Sequence, residues 1–309
     1  MNRIALFKTD EEDTGIRLDV YLTSRLDGIS RSAVQKIISD GLVTIDGAIC
    51  LSRKTQLSPG HTVKISIPEE KGMSAPLPEK IPLKIIFEDE FLLVIDKPPG
   101  MVVHPAAGSE SGTVVNALLA AYPGFENSFT DKTRPGIVHR LDKDTSGCLL
   151  IAKKQRILEK LSASFKKHRV TKTYTAIVCG HFRQPTGTIS ADIGRHPVNR
   201  KKMAVIEEGE GGKSAVTHYK VIKELHISGT PASLLEIQIE TGRTHQIRVH
   251  MNYLHHPVAG DTIYGGNRKI PATRQLLHAS ELIFPHPKTG EIITCEAVLP
   301  NDFQKYLMH

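Results

Sequence analysis

The sequence has 309 residues, 39% of them hydrophobic and 24% charged, and 40 Lys+Arg against 33 Asp+Glu give a net charge of +7; this suits one large or two ordinary domains with a proper core. No apolar run approaches the ~20 residues that cross a bilayer, and the opening MNRIALFKTDEEDTG lacks the apolar stretch of a secretory signal peptide, so a cytoplasmic protein without membrane contact is expected. The four cysteines, Cys50, Cys148, Cys179 and Cys295, lie far apart and form no CxxC pair, which argues against structural zinc and a disulfide framework.

In chain order, IRLDVYLTSRL (16–26) carries apolar residues at Ile16, Leu18, Val20, Tyr21, Leu22 and Leu26 and predicts a short amphipathic helix. Ser30 is a good N-cap for a second helix, RSAVQKIISD, with Val34, Ile37 and Ile38 on one face and Gly41 as its stop. LVTIDGAIC alternates as a strand hairpin around Asp46-Gly47, and HTVKISI closes the unit as another strand. Arg17, Arg31, Lys36, Arg53 and Lys54 give the second helix a basic surround.

SRSAVQKIISDGLVTIDG followed by HTVKI resembles the small αL RNA-binding domain, the S-four-like domain, over roughly residues 14–70; the alternative is a generic helix-hairpin module. The resemblance implies an RNA contact through residues such as Arg31 and Lys36. The Pro- and charge-rich PEEKGMSAPLPEKIP (68–82) reads as a linker. The expected division is therefore 1–72, a linker at 73–82, and a second domain at 83–309.

In that second domain, FLLVIDKPPGMVVHP predicts a buried strand ending in a Pro-Gly turn, TVVNALLAAY a helix, and GCLLIAK and KTYTAIVCG strands around a basic helix. The helix buries a stripe of Ile157, Leu158, Leu161 and Phe165. HFRQPTGTISADIGRHPVNRKKM reads as a long, basic, irregular stretch, and SAVTHYKVI, SLLEIQIE and HQIRVHMNYL return to strand and helix patterns. Without a regular βαβ rhythm, the expected fold class is α+β, with a mixed, largely antiparallel sheet and flanking helices. Through Gly72 the chain has 10 basic and 10 acidic residues, so the 30 basic and 23 acidic residues beyond it carry the whole excess charge. Residues 152–172 alone hold eight Lys/Arg against one Glu, a field that attracts polyanions such as nucleic acid and is also found on solvated helix faces.

GIVHRLDKDTSG (136–147) sets two carboxylates, Asp142 and Asp144, into a Thr-Ser-Gly turn between apolar runs. Turns of this composition are common because their side chains bond their own backbone, so the stretch alone does not separate a surface turn from a chemical site. GEGGKS (209–214) ends like a phosphate-binding loop but has Glu207 where the first glycine belongs. HRLDKDTSG echoes a kinase loop with its Asp displaced. His245, His250, His255 and His256 lack a carboxylate at ligand spacing and have Arg243 and Arg248 among them, so no metal is expected. In TGRTHQIRVH, a Thr-Gly-Arg turn ends a strand and offers Arg243 as a bidentate partner for a buried carboxylate.

Together, LLVIDKPPGMVVHP, HRLDKDTSG, KTYTAIV and TGRTHQIRVHM resemble the ribosomal large-subunit pseudouridine synthases of the RluA/RluD type over about residues 80–300, and VVHPAAG points to the RluD-like branch. The resemblance implies isomerisation of uridines within RNA, without cofactor or metal, by a monomer. It assigns the essential carboxylate to Asp142, its partner to Arg243, and a ring that stacks on uracil to Tyr174. Ile247 would pack beneath the base, and Arg140 would fill the space of the extruded nucleotide. Lys153 and Lys154 of the basic helix, with Arg195, Arg200, Lys201 and Lys202, would grip phosphates. Two other readings stay open: the same chemistry on another ribosomal site or a transfer RNA, and a non-catalytic RNA-binding assembly factor.

Overall fold

The computed structural model describes all residues except 1–2, 27–28, 68–74, 107, 200–201, 208 and 308–309. It divides into two compact units, Met1–Ser74 and Ala75–His309.

The first unit contains β1 (Arg3–Lys8), α1 (Leu18–Arg25), α2 (Arg31–Ser39), β2 (Val43–Ile45), β3 (Ala48–Ile49) and β4 (Thr62–Ile67). Its four-stranded sheet has the order β1-β4-β2-β3. Leu18, Tyr21 and Leu22 of α1, Val34, Ile37 and Ile38 of α2, and Val63 and Ile65 of β4 close one apolar core. Ser30 caps α2 by accepting the Ala33 N–H at 3.3 Å. Asp46 (φ 50°) and Gly47 (φ 86°) supply the two positive φ angles of a tight hairpin turn. Strand β1 has no counterpart in the sequence reading. Its inward residues Ala5 and Phe7 alternate with the equally apolar, exposed Ile4 and Leu6, so no in-out pattern announces it.

The buried Asp19 organises the basic face. Its carboxylate accepts from Arg17, Arg31 and Gln35, and these bonds outweigh burial and lower its pKa to about 2. Arg31 is therefore oriented by an ion pair, while Lys36 is exposed on the same helix.

In the second unit, residues 77–79 are tied down rather than left loose: Leu77 O accepts from Asn116 Nδ2 at 2.8 Å, and the Glu79 carboxylate accepts from the Gly112 N–H at 3.0 Å. The part of the expected linker that falls in 68–74 lies outside the described residues. Then come β5 (Lys84–Glu88), β6 (Leu92–Lys97), α3 (Val114–Ala121), β7 (Ser146–Ala152), α4 (Gln155–Lys166), β8 (Thr171–Cys179), β9 (Thr186–Ser190), β10 (Asp192–Arg195), β11 (Met203–Ile206), β12 (Val216–Ile227), β13 (Thr230–Ile239), α5 (Gln246–Tyr253), α6 (Gly266–Lys269), β14 (Leu277–Pro285), β15 (Ile292–Glu296) and α7 (Asn301–Gln304).

One large sheet runs β5-β6-β7-β14-β8-β13-β12-β9, with β15 beside β14. Only the β7–β14 pair is parallel, so the fold is α+β with a largely antiparallel sheet. Leu92–Ile95 and Leu149–Ala152 are fully buried, which is why both read as unbroken apolar runs. The stretch 181–203 is not irregular as expected: it holds β9 and β10, the latter paired with β11 in a separate hairpin. These short strands are rich in Gly and polar residues and lie outside the sheet centre, so burial prints little alternation on them.

Candidate active site

Asp142 sits in the loop that feeds strand β7. The loop is a well-made turn, since Thr145 N–H donates to Asp142 O at 3.1 Å. It is also held from beneath. The fully buried Lys97 ammonium donates to Pro98 O, Met101 O and Lys143 O at 2.8–3.0 Å, and burial lowers its pKa to about 7. Arg274 donates to Asp144 O and Ser146 Oγ while its fork grips Asp302. At Gly147, φ is +111° and an added Cβ would stand 2.1 Å from Ala279 O, so only glycine admits the β7–β14 approach. His139 Nε2 accepts the Leu150 N–H and its ring stacks on Phe165 at 4.9 Å. Burial lowers its pKa to about 3, which makes it a neutral prop.

The Asp142 carboxylate, 18% exposed, accepts from Arg248 Nη1 at 3.0 Å. The expectation that Arg243 makes this pair is corrected. Arg243 lies in the exposed turn before α5 and directs Nε to Ser214 O at 3.0 Å. One helical turn further on, α5 buries Ile247, Arg248 and Met251. That face turns Arg248 toward Asp142, whereas Arg243 precedes the helix. Asp261 clamps the other edge of Arg248 at 2.7 and 3.0 Å and accepts the N–H groups of Ile263 and Tyr264. Burial opposes the charge of Arg248, but Asp261 and Asp142 more than offset it and raise its pKa.

Further groups complete the surroundings. Tyr264 OH accepts from Met203 N–H at 2.9 Å and shares a hydrogen bond with His245 Nδ1 at 3.0 Å, and His245 Nε2 lies 4.0 Å from the Asp142 carboxylate. Burial lowers the His245 pKa and keeps the ring neutral. Gln246 fixes the Thr-Gly-Arg turn by accepting from Thr241 Oγ1 and Arg243 N–H. Tyr174 is buried on β8, and burial together with the Asp142 charge raises its phenol pKa, so the phenol keeps its proton at neutral pH. None of Lys97, Arg248, Asp261, Tyr264, Gln246 or Arg274 was singled out as functional from the sequence. The second arginine of GRTHQIR was the available signal for Arg248.

Asp142, Tyr174, Arg140, Ile247 and Arg243 line one narrow cavity of about 70 Å³, with Leu277 of β14 completing its wall. The other expected contacts lie elsewhere. Lys153 and Lys154 are paired with Glu88 and Glu90 at 2.6 and 2.5 Å, the second pair largely exposed to water. Arg195 is exposed on the β10–β11 hairpin, and Lys202 lies over the Tyr264 ring at 5.9 Å. Arg200 and Lys201 lie outside the described residues. Arg31 and Lys36 belong to the first unit. His250 and His256 bond Thr217 and Cys179 O, and no cluster of three or more metal-binding side chains occurs among the described residues.

A carboxylate fixed by a clamped guanidinium, facing a buried tyrosine across an apolar-floored slot, can attack or deprotonate a small planar substrate while the ring covers it.

Residues 91–253 match the family described as RNA pseudouridylate synthase, and residues 16–63 match the S4 domain. A protein of Zymomonas mobilis named ribosomal large subunit pseudouridine synthase D is 42% identical, covering 95% of this chain and 93% of its own. Its namesake in Escherichia coli K12 is 39% identical over 97% and 92%. Among solved structures, human RNA pseudouridylate synthase domain containing 1 superposes with a TM-score of 0.59 at 30% identity, over 71% of this chain and 84% of that one.

Proposed function

The chain belongs to the RNA pseudouridylate synthase family, and from that premise we propose that it isomerises uridines of bacterial large-subunit ribosomal RNA, with Asp142 as the essential carboxylate. The reaction moves one bond. The ribose carbon leaves the ring nitrogen, the uracil turns, and the ring C5 takes the same sugar carbon. C5 gives up its proton and N1 gains one, so nothing is oxidised or added.

The observation that carries this reading is the Asp142–Arg248–Asp261 chain at 3.0 and 2.7 Å, with Tyr174 and Ile247 in the same cavity. The clamp keeps Arg248 from swinging away, and Arg248 in turn fixes one oxygen of Asp142. The other oxygen is left to meet the sugar or the base. Attack on either, and removal of a sugar proton, are each open to it. Tyr174 would stack on the uracil over the Ile247 floor, and Arg140, exposed and without an ion pair among the described residues, would occupy the gap left by the extruded nucleotide. The 39–42% identity to enzymes named for the large ribosomal subunit supports that RNA as substrate.

The test is tritium release from large-subunit ribosomal RNA labelled at uracil C5 and taken from cells lacking this protein. Wild type should release tritium, and Asp142→Asn should fall by at least about 10⁴-fold, as expected when a reacting group is removed. Equal release from both would remove Asp142 from the chemistry, and silence from both on RNA and on assembling subunits would favour a binding factor.

A further inference from the structure

Lys172 is 8% exposed, yet no carboxylate pairs with it among the described residues. Its ammonium donates to Glu240 O at 3.1 Å and Thr241 O at 3.3 Å and lies 5.9 Å from the centre of the Phe165 ring, partners that carry no formal negative charge. Holding an ammonium out of water without a counter-ion is unfavourable, and burial duly lowers the Lys172 pKa, to about 8. Lys172 lines a cavity of about 390 Å³ whose wall also carries Arg140, Lys166, His168 and Arg243. One carboxylate, Glu240, reaches that wall, and its Oε1 is engaged 2.8 Å from His218 Nε2 on β12. Arg243 bonds Ser214 O through Nε alone, so its two terminal nitrogens find no acceptor among the described residues.

This basic cavity adjoins the Asp142 cavity. The two share Arg140, Tyr174, Ile239, Gly242 and Arg243 as a common wall. A nucleotide whose base enters beside Asp142 can lay its backbone along that common wall, whose far side carries basic side chains without carboxylate partners among the described residues. We infer that this second cavity is a phosphodiester subsite, in which Arg243, Lys166 and Lys172 hold one of the two backbone phosphates that flank the target uridine. The inference rests on RNA being the substrate and the Asp142 cavity receiving the uracil. It gives Arg243 the work of fixing the RNA backbone, with Gln246 positioning its main chain at 3.0 Å. It places this phosphate contact at the end of α4, away from Lys153 and Lys154, which precede the helix and pair with Glu88 and Glu90. Such contacts set the register of the strand and read no bases.

The test uses synthetic stem-loops built around the uridine that mapping identifies, with the natural backbone or with one neutral methylphosphonate linkage on either side of that uridine. Wild type is compared with an Arg243→Gln/Lys166→Gln double variant; both side chains are exposed, and Lys172 is kept because it ties down two carbonyls. One of the neutral linkages should weaken wild-type binding about tenfold, the size of a lost charge-assisted contact. The double variant should bind the natural RNA about tenfold more weakly and lose no more than about twofold further at that linkage, because the same contact is already gone. A wild type indifferent to both linkages overturns the subsite, as does a double variant that still loses about tenfold at the neutral one. A wild type that releases no tritium from the natural stem-loop removes the proposed substrate, and the subsite with it.

Discussion

Arg248 holds two carboxylates on one guanidinium, Asp261 on one edge and Asp142 on the other, and their surroundings differ. Asp261 is fully buried and takes two backbone N–H groups besides, whereas Asp142 keeps an open side toward the cavity. Lys97 supports the same loop from below, and its depressed pKa makes it testable by pH. The folded chain releases the Lys97 proton near pH 7, whereas an unfolded lysine keeps it to about 10.5. Between those values the unfolded state binds more protons, so stability rises with pH. The penalty is fully present below pH 7 and is relieved toward pH 10.5. Lys97→Met should lower stability at pH 7 by about 2 kcal/mol, through three carbonyls left without a donor. It should also flatten the rise in denaturant midpoint from pH 7 to 9.5. Lys172 contributes a rise of the same sign, so the slope shrinks without vanishing; an unchanged slope would show that Lys97 does not titrate there. Asp142 was singled out by the resemblance that HRLDKDTSG carries, and its role as the essential carboxylate remains a proposal. The choice between Arg243 and Arg248 was not legible in the sequence, since it depends on where helix α5 begins.

Among the elements, the parallel contact of β7 and β14 does most to shape the site. β7 delivers the end of the Asp142 loop, β14 delivers Leu277, and Gly147 lets the two backbones meet. Gly147→Ala puts a methyl group into the Ala279 peptide and forces a non-glycine residue to φ +111°. A loss of about 3 kcal/mol or more in thermal unfolding is expected, with tritium release falling alongside. A stable, active Gly147→Ala enzyme would mean the two strands can separate without harm. The buried strands β6, β7 and β8 and the helices α1 to α4 were legible because burial imposes unbroken or periodic apolar patterns. β14 was not, although its buried Leu277, Ala279, Leu282 and Phe284 are apolar, because polar His278, Ser280 and Glu281 between them break the run. The short β9 and β10 carry too little burial to mark them.

At the scale of the molecule, the chain forms two units with separate cores. The core of the first unit is drawn from residues 5–67, and Asp142 lies outside it. Each unit therefore has the means to fold without borrowing apolar surface, and the unit matching the S4 domain bears a basic face ordered by Asp19. Deleting residues 1–74 should raise KM for ribosomal RNA by about tenfold or more, with the effect shrinking at high salt, and leave kcat within about threefold. An unchanged KM would show that this unit does not grip the substrate, and a collapsed kcat would show that it shapes the site. No helix among the described residues is long and apolar enough to cross a membrane.

The sequence by itself determined the fold class and the helix-hairpin unit at the N-terminus, because local propensity and burial pattern are properties of neighbouring residues. The family, and with it the role proposed for Asp142, came from the resemblance that its motifs carry. Tertiary structure alone decided which arginine meets Asp142, that Lys153 and Lys154 lie beside Glu88 and Glu90, and that Lys172 lines a cavity without a carboxylate partner among the described residues. Each of these depends on groups tens of residues or more apart in the chain. Whether a charge is matched is settled by what folding brings within about 4 Å of it, a distance over which charges interact strongly only when water is excluded.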